Sequence, residues 1–230
     1  GWRYDRSRGT LDDTLGNFPL TQVDALTGLL LLGEYDAFRD NLEPLRAHFE
    51  SVRMGTGMFG PHAADHDGVV RISVFETVIR GIGGLVSAHL SASELFRLGA
   101  PVPRPSETRF LYEHAVLLAD VVMEAYRSSP TAFPSHIVHW DPTDLGRGAF
   151  LNPTSSRRRG KKTAKGGDSL AEAETCTAAA GTATLEMGAL SLLSRNQSYA
   201  AAAVDAVNAL WEMRDEGLSL IHILRCRRKG

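Results

Sequence analysis

Apolar residues recur at spacings of three and four along most of the chain, the spacing that gathers them on one face of a helix. This pattern predicts an all-α protein, because no comparable stretch alternates apolar and polar residues as a half-buried strand would. We expect helices near residues 20–32, 36–49, 72–92, 107–127, 177–194 and 198–213. The predicted buried stripes are Leu20, Val23, Leu26, Leu29 and Leu30; Phe75, Ile79, Ile82, Val86 and Leu90; Leu111, Ala115, Leu118, Val122 and Ala125; and Val204, Val207, Leu210 and Trp211.

A faint internal repeat relates the first helices to the last. Residues 31–38 align with residues 192–199. In both segments a helix ends in Leu-Leu, a short polar turn follows, and an aromatic residue opens the next helix. This order is typical of an αα-hairpin. Two copies favour a repeated-hairpin architecture, which leaves a bundle, a solenoid and a toroid open.

Three stretches interrupt the helical pattern. Residues 55–68 are rich in glycine and histidine, residues 101–106 hold three prolines, and residues 140–170 form a long irregular segment that contains the basic run 157–162. A basic run can bind nucleic acid or act as a localisation signal, but no aromatic residue within this run offers stacking on bases. We interpret it as a solvated surface loop and expect no nucleic-acid partner.

Composition changes this picture little. Of 230 residues, 43% are hydrophobic and 23% charged, as in folded globular proteins, and the net charge of −2 excludes a strong field of either sign. Two cysteines cannot form a disulfide framework, and no apolar run, the four leucines at 29–32 included, is long enough to cross a bilayer. The chain begins at Gly1 without a signal peptide, so we expect part of a longer protein. Residues 219–230 continue no stripe, and we predict a non-native tail.

The most informative polar pattern lies on the third predicted helix, where Glu76, Arg80, Gly83 and Ser87 form a second stripe beside the apolar one. Glycine inside a helix costs about 1 kcal/mol relative to alanine, so a Gly-Gly pair here implies close approach by a helix or a ligand. The stripe is either a functional site or an internal ion pair beside a tight crossing. Arginine one turn from Glu76 favours the carboxylate, whereas a general acid must be protonated. Burial or other carboxylates must then oppose Arg80, or Arg80 must turn away to hold substrate.

A second polar cluster precedes and enters the helix predicted at 177–194. Thr175 or Thr177 is the expected N-cap. Glu186 would lie among apolar neighbours, where a carboxylate is costly unless paired, and both a satisfied core acid and a site residue stay open. Cys176 has no His or Cys at ligand spacing, so we expect no metal or redox role.

Three isolated features carry weaker signals. Asp24 sits within the apolar first helix and is expected to cap it or to contact another helix. His62 and His66 share a helical spacing but fall in the glycine-rich segment, so we expect no metal site there. Residues 196–198, Asn-Gln-Ser, form an N-glycosylation sequon, which is meaningful only in a secretory protein.

Several segments together resemble glycoside hydrolase family 47, the class I α-1,2-mannosidases. Residues 15–26 are similar to the opening motif of that family, residues 73–89 to its next motif, and residues 174–178 and 185–191 to its third. The forms Leu-Gly-Asn-Phe and Glu-Thr-Cys-Thr-Ala are closer to the ER degradation-enhancing mannosidase-like branch than to the Golgi and ER trimming enzymes. The resemblance covers about residues 11–218.

The resemblance implies an (αα)7 barrel, a ring of seven helical hairpins with the active site in its lumen. This chain would hold about the first three hairpins, a partial α/α toroid. We therefore expect residues 1–218 to be the N-terminal part of a catalytic domain, with a long loop at about 140–170, and residues 219–230 to lie outside it. The second stripe of the third helix would face the lumen.

The resemblance also implies an activity and its residues. It implies an inverting glycosidase that removes terminal α-1,2-linked mannose from N-glycans of misfolded glycoproteins, in ER-associated degradation within the endoplasmic reticulum or secretory pathway. By motif position, Glu76 matches the general acid, Arg80 a substrate-binding arginine, and Glu186 a carboxylate lining the sugar pocket. Calcium is the implied cofactor, with its ligand and the catalytic base expected beyond Leu218, so we expect no metal ligand in this chain. The implied partners are high-mannose N-glycans and, as a candidate, a thiol oxidoreductase.

Departures from the family pattern keep other functions open. Thr27-Gly28 stand where the family usually has Asp-Thr, and residues 133–136 replace a Pro-Tyr-Pro-Arg segment. We expect the chain alone to be inactive, because half the barrel and the metal site would be missing. The rivals are a non-catalytic protein that binds mannose glycans or misfolded clients, and a helical-repeat scaffold without a sugar site.

Overall fold

The computed structural model describes residues 2–5, 10–13, 18–51, 70–129, 131–140 and 175–213. Helices dominate these residues, and each predicted helix has a counterpart. They are α1 (Leu20–Leu31), α2 (Tyr35–Ser51), α3 (Val74–Glu76), a π-helical segment (Thr77–Ile82), α4 (Gly83–Arg97), α5 (Pro105–Arg127), α6 (Thr177–Gly181), α7 (Thr184–Ser194) and α8 (Ser198–Glu212). The basic run 157–162, the histidine-rich segment 55–68, residues 15–17, Glu174 and the tail 219–230 lie outside the described residues.

Two short antiparallel ladders depart from the expectation that no strand forms. Strand β1 (Trp2–Asp5) pairs with β2 (Thr10–Asp13), and β3 (Val70–Ser73) pairs with β4 (Ile137–Trp140). Trp2–Asp5 and Val70–Ser73 each alternate apolar and polar residues, but four residues are the shortest length at which alternation indicates a strand. The β3–β4 ladder leads directly into α3, where the Val74 amide donates to the His136 carbonyl at 3.1 Å. It therefore fixes where the helix bearing Glu76 begins.

The helix predicted near 72–92 begins about where expected but ends five residues later, and part of its predicted buried face is wrong. Helix begins at Val74, runs through the π-helical segment and ends at Arg97. The buried side chains are Val74, Val78, Ile82, Leu85, Val86, Ala88 and Ala92, whereas Phe75 and Ile79 are only partly buried and Leu90 is exposed. The wider turn of a π-helix, with its i to i+5 bonding, rotates the stripe away from the α-helical expectation.

The three hairpins share one way of ending their first helix. A residue with positive φ stops each helix: Gly33 (80°), Gly99 (85°) and Arg195 (58°). At the first two stops, amides two and three residues beyond the helix bond back to its last carbonyls, the Schellman arrangement. Leu98-Gly99 repeats the Leu32-Gly33 pattern, and this middle copy of the hairpin repeat was not predicted.

The core lies between the helices of adjacent hairpins. Helix α4 packs on α1 and α5, and α7 packs on α8. The stripe predicted for α5 is confirmed, since all five of its residues are fully buried. The stripe predicted for α8 is wrong: Val204 and Trp211 are 47% and 65% exposed, and the buried positions are Tyr199, Ala203 and Ala206. Small alanines let α8 approach its neighbours closely, so the larger side chains face outward.

The helix predicted at 177–194 is two helices, because Thr182 and Ala183 interrupt it. Its N-cap is Cys176 rather than a threonine: the Sγ accepts a hydrogen bond from the Ala179 amide at 3.4 Å.

Across the parts of the chain that the structure describes, no helix combines the length and hydropathy needed to cross a membrane.

Candidate active site

Three charged side chains meet where α1 passes the π-helical segment. Arg80 Nε donates to Glu76 Oε2 at 2.6 Å, and Arg80 Nη1 donates to Asp24 Oδ2 at 3.0 Å. Between 42% and 47% of each side chain is exposed to solvent. The hydrogen bonds to Glu76 and then to Asp24 raise the pKa of Arg80. One guanidinium therefore links carboxylates from two helices on an accessible face.

Arg80 is not turned away from Glu76, which settles one alternative left open by the sequence. The planar guanidinium donates from Nε to Glu76 and from Nη1 to Asp24, so its orientation is fixed. The other alternative asked for burial of Glu76 or crowding of Glu76 by carboxylates: its side chain is 42% exposed, and a second carboxylate, Asp24, pairs with the same arginine. Asp24 makes the interhelix contact expected of it, but its place beside Glu76 was not predicted. The sequence offered one signal of this position: Asp24 is an acidic residue inside an apolar helix, one turn before Gly28.

Glu186 reaches the same helix one turn further on. A Cβ built on Gly83 would lie 3.1 Å from Glu186 Cγ and 3.7 Å from its Oε1. Glu186 Oε2 is buried and has no hydrogen-bond partner among the described residues. A buried acceptor without a donor is costly, so this oxygen is suited to a donor from a ligand. Glu186 is thus not the fully satisfied core acid that was one of its two interpretations.

Glycine and hydroxyl contacts hold α1 against α4. A Cβ on Gly84 would lie 2.9 Å from Val23 Cγ1 and 3.3 Å from the Val23 carbonyl oxygen. Further along, Ser87 donates to the Gly84 carbonyl at 3.1 Å, so Thr27 Oγ1 is the donor in its 2.7 Å contact with Ser87 Oγ. Because Val23 and Thr27 meet Gly84 and Ser87 in the same order, the two helices run parallel. Thr27, a departure from the family pattern, thus serves this packing.

The implied calcium ion does not fit the residues at hand. No three His, Cys, Asp or Glu side chains gather within the described ranges in the way a metal site requires. Asp24 and Glu76 already share Arg80. A calcium ligand beyond Leu218 stays a prediction, and so do the roles assigned to Glu76, Arg80 and Glu186.

A histidine behind this site gives a pH test of the fold. His89 Nδ1 lies 2.9 Å from Thr108 Oγ1 and its ring stacks on Tyr112. Burial lowers the pKa of His89, and the charge of Arg109 lowers it further, although the bond to Thr108 acts in the opposite direction. Unfolded histidine titrates near pH 6.5. Between the lowered value and about 6.5 the unfolded chain binds more protons, so stability is complete above this window and falls as the pH falls through it.

We expect the melting temperature of the chain to decrease from pH 7.5 to pH 5, and the decrease to become smaller in His89→Gln. Thermal melts followed by circular dichroism at several pH values would measure this. The matched control is His136→Gln, at an exposed position, which should keep the full pH dependence. An identical pH dependence in the wild type and in His89→Gln would show that His89 is not responsible.

Known proteins resemble this chain over most of its length. The family described as Glycosyl hydrolase family 47 matches residues 2–225. Alpha-mannosidase I MNS4 of Arabidopsis thaliana is 30% identical over 203 residues, which are 88% of this chain and 26% of the relative. ER degradation-enhancing alpha-mannosidase-like protein 2 of Homo sapiens is 33% identical over 215 residues, 92% of this chain and 30% of the relative.

The fold has a counterpart among solved structures. An alpha-1,2-mannosidase from Trichoderma reesei superposes with a TM-score of 0.57 at 23% identity, covering 91% of this chain and 35% of that one. This likeness confirms the prediction of part of an α/α barrel with three helical hairpins. The chain spans about a third or less of the length of each of these relatives.

Proposed function

Because the chain belongs to glycosyl hydrolase family 47, we propose that it forms the first three hairpins of a catalytic domain that removes terminal α-1,2-linked mannose from N-glycans. We further propose that these glycans are high-mannose chains on misfolded glycoproteins in the endoplasmic reticulum, where the complete protein marks its clients for degradation. The observation that carries the proposal is the Asp24–Arg80–Glu76 cluster with Glu186 one turn away. It provides a carboxyl group and a cation on an accessible face, with a buried, unpartnered acceptor against Gly83 on the same run of helix.

In the proposed mechanism, Glu76 in its protonated form gives a proton to the glycosidic oxygen, in some cases through a water molecule. A carboxylate on the opposite side of the sugar, outside this chain, directs water onto the anomeric carbon, which inverts its configuration. Arg80 hydrogen-bonds the sugar and restrains Glu76 through the 2.6 Å contact. The unpartnered Glu186 Oε2 accepts a hydrogen bond from a sugar hydroxyl. The described residues form no calcium site, so we propose that the ligands of the implied ion lie beyond Leu218.

Asp24 has a supporting part in this proposal. Its 3.0 Å bond occupies Nη1 of Arg80 and leaves Nε directed at Glu76. Asp24 is therefore a positioning residue that acts through Arg80. Since the chain spans only about a third or less of each of these relatives, we also propose that the chain alone does not turn over substrate. Release of mannose from α-1,2-mannobiose by the purified 230-residue chain would contradict that proposal.

A second candidate function is mannose-glycan or client binding without hydrolysis. One observation favours it: Arg80 engages both nearby carboxylates, and such charge-assisted networks bind sugar hydroxyls well without transferring a proton. A thiol oxidoreductase remains a candidate partner in either case. The residues beyond Leu218 distinguish the two functions, since only the enzyme needs a catalytic base and a metal site.

The first experiment is to resequence the transcript across the codons for Leu218 and Ser219. A reading frame that continues into further hairpins would allow the complete protein to be expressed and assayed with α-1,2-mannobiose. Release of mannose with inverted configuration would support the enzyme, whereas glycan binding without release would support the binding protein. If the complete protein neither released mannose nor bound glycans, the helical-repeat scaffold would be the remaining interpretation.

A further inference from the structure

The turn between α7 and α8 carries a motif that the proposed activity does not use. Residues 196–198 read Asn-Gln-Ser, the acceptor pattern for N-linked glycans. It is the single such pattern in the 230-residue sequence, because Asn152 is followed by Pro153 and proline at the middle position disqualifies a sequon. All three residues of the motif are exposed. A bulky addition at this turn would project into solvent.

The geometry of the turn brings the two essential groups of the motif together. Arg195, with φ of 58°, ends α7 and directs the chain outward. Asn196 Oδ1 accepts hydrogen bonds from the Ser198 amide at 3.1 Å and from Ser198 Oγ at 2.8 Å. The asparagine amide and the serine hydroxyl are therefore in reach of each other without rearrangement of the helices.

Tyr199 follows the motif and anchors the start of α8. It is buried, and its hydroxyl donates to Asp120 Oδ1 at 2.6 Å. Because this bond does not use the Asn196 side chain, a glycan on Asn196 need not disturb it.

From these observations we propose that Asn196 is an N-glycosylation site. The step transfers an oligosaccharide from a lipid-linked oligosaccharyl diphosphate. A bond forms between the Asn196 amide nitrogen and carbon 1 of the sugar, the bond between that carbon and the diphosphate oxygen breaks, and the lipid diphosphate leaves. The amide nitrogen gives up one proton to a base of the transferase. This inference rests on the proposed function only for the secretory location.

A purely structural role for the motif makes a different prediction. Asparagine and serine are both common at helix starts, and Oδ1 of Asn196 caps the first turn of α8. Asn196→Asp keeps an oxygen in the same place, so it preserves the cap and removes the acceptor nitrogen. Ser198→Thr keeps the hydroxyl, and Ser198→Ala removes it. These variants separate modification from capping.

The test is expression of the whole chain behind a cleavable secretion signal in eukaryotic cells, which makes the result independent of native targeting. A parallel version carries an added Asn-Gly-Thr sequon after Gly230 to report entry into the lumen. The readout is electrophoretic mobility with and without peptide-N-glycosidase F, and mass spectrometry of the peptide containing Asn196. We expect one glycan on the wild type and on Ser198→Thr, none on Asn196→Asp or Ser198→Ala, and one more on the tagged version.

Two results would overturn the proposal. One is an unmodified wild-type chain when the added sequon is glycosylated; the other is a glycan that persists in Asn196→Asp. The mannosidase proposal fails on a different measurement, the assay of the complete protein on α-1,2-mannobiose. Loss of either proposal therefore leaves the other standing.

Discussion

Glu76→Gln should lower the turnover number of the complete protein on α-1,2-mannobiose by about 10²- to 10⁴-fold, because an amide cannot donate the proton that a general acid supplies. Binding of the substrate should change much less, so the loss should fall on kcat rather than KM. Stability should change by less than about 1 kcal/mol, since the ion pair with Arg80 is partly exposed. Initial rates and thermal melts of the same preparation measure both effects.

Glu94→Gln is the matched control for Glu76→Gln. Glu94 also pairs with an arginine on the same run of helix, with Glu94 Oε1 2.6 Å from Arg97 Nη2, but it lies on an exposed surface away from Asp24. Its replacement should leave kcat unchanged. Equal rates in Glu76→Gln and the wild type would contradict the acid role. If the complete protein binds glycans without releasing mannose, a weaker affinity in Glu76→Gln alone would assign the residue to binding, and unchanged affinity would leave only a structural role.

Gly84→Val should destabilise the fold by about 3 kcal/mol, near the upper end of the cost of overpacking a core. Even the first added carbon would lie 2.9 Å from Val23 Cγ1 and 3.3 Å from the Val23 carbonyl oxygen, and backbone cannot rotate away as a side chain can. Val23 is itself fully buried. For a chain of this size we expect the melting temperature to fall by roughly 6–12 °C, measured by circular dichroism.

Gly28→Ala is the control of opposite sign. Gly28 lies within α1, and a Cβ there meets nothing within 4 Å. The substitution should therefore raise stability by up to about 1 kcal/mol, the intrinsic gain of alanine over glycine in a helix. Destabilisation by Gly28→Ala would contradict the open space around Gly28. Stabilisation by Gly84→Val would show that the close approach of α1 and α4 is not required.

Much of the fold could be predicted from the sequence because large apolar side chains at helical spacing leave little choice of buried face. The stripe on α5, from Leu111 to Ala125, is the clearest case. The same rule failed on α8, where alanines at 203 and 206 are buried and Trp211 is exposed. Hydrophobicity favours burying the larger residue, but close approach of two helices favours the smaller one, and this second effect depends on a neighbour that the local pattern does not reveal.

The candidate site, too, could be predicted from the sequence only in part. Glu76, Arg80 and Gly83 could be grouped from spacing alone, because residues three and four apart share a helix face. Asp24 and Glu186 could not be placed beside them, since these contacts join residues separated by 56 positions and by about a hundred. The π-helical segment was also missed. It arises from backbone hydrogen bonding that no residue type at 77–82 announces.

The π-helical segment sets the angle about the helix axis between Glu76 and Gly84. Glu76 precedes it, and Gly84, whose missing side chain admits α1, follows it. Removing one residue from 77–82 would restore ordinary α-helical winding and turn everything upstream by about 100° relative to everything downstream. Asp24 and Val23 are neighbours on α1, so α1 could then meet Glu76 and Arg80 or lie against Gly84, but not both. A single extra residue in this helix thus couples the charge cluster to the helix crossing, and a gain or loss of one residue here would separate them where a substitution would not.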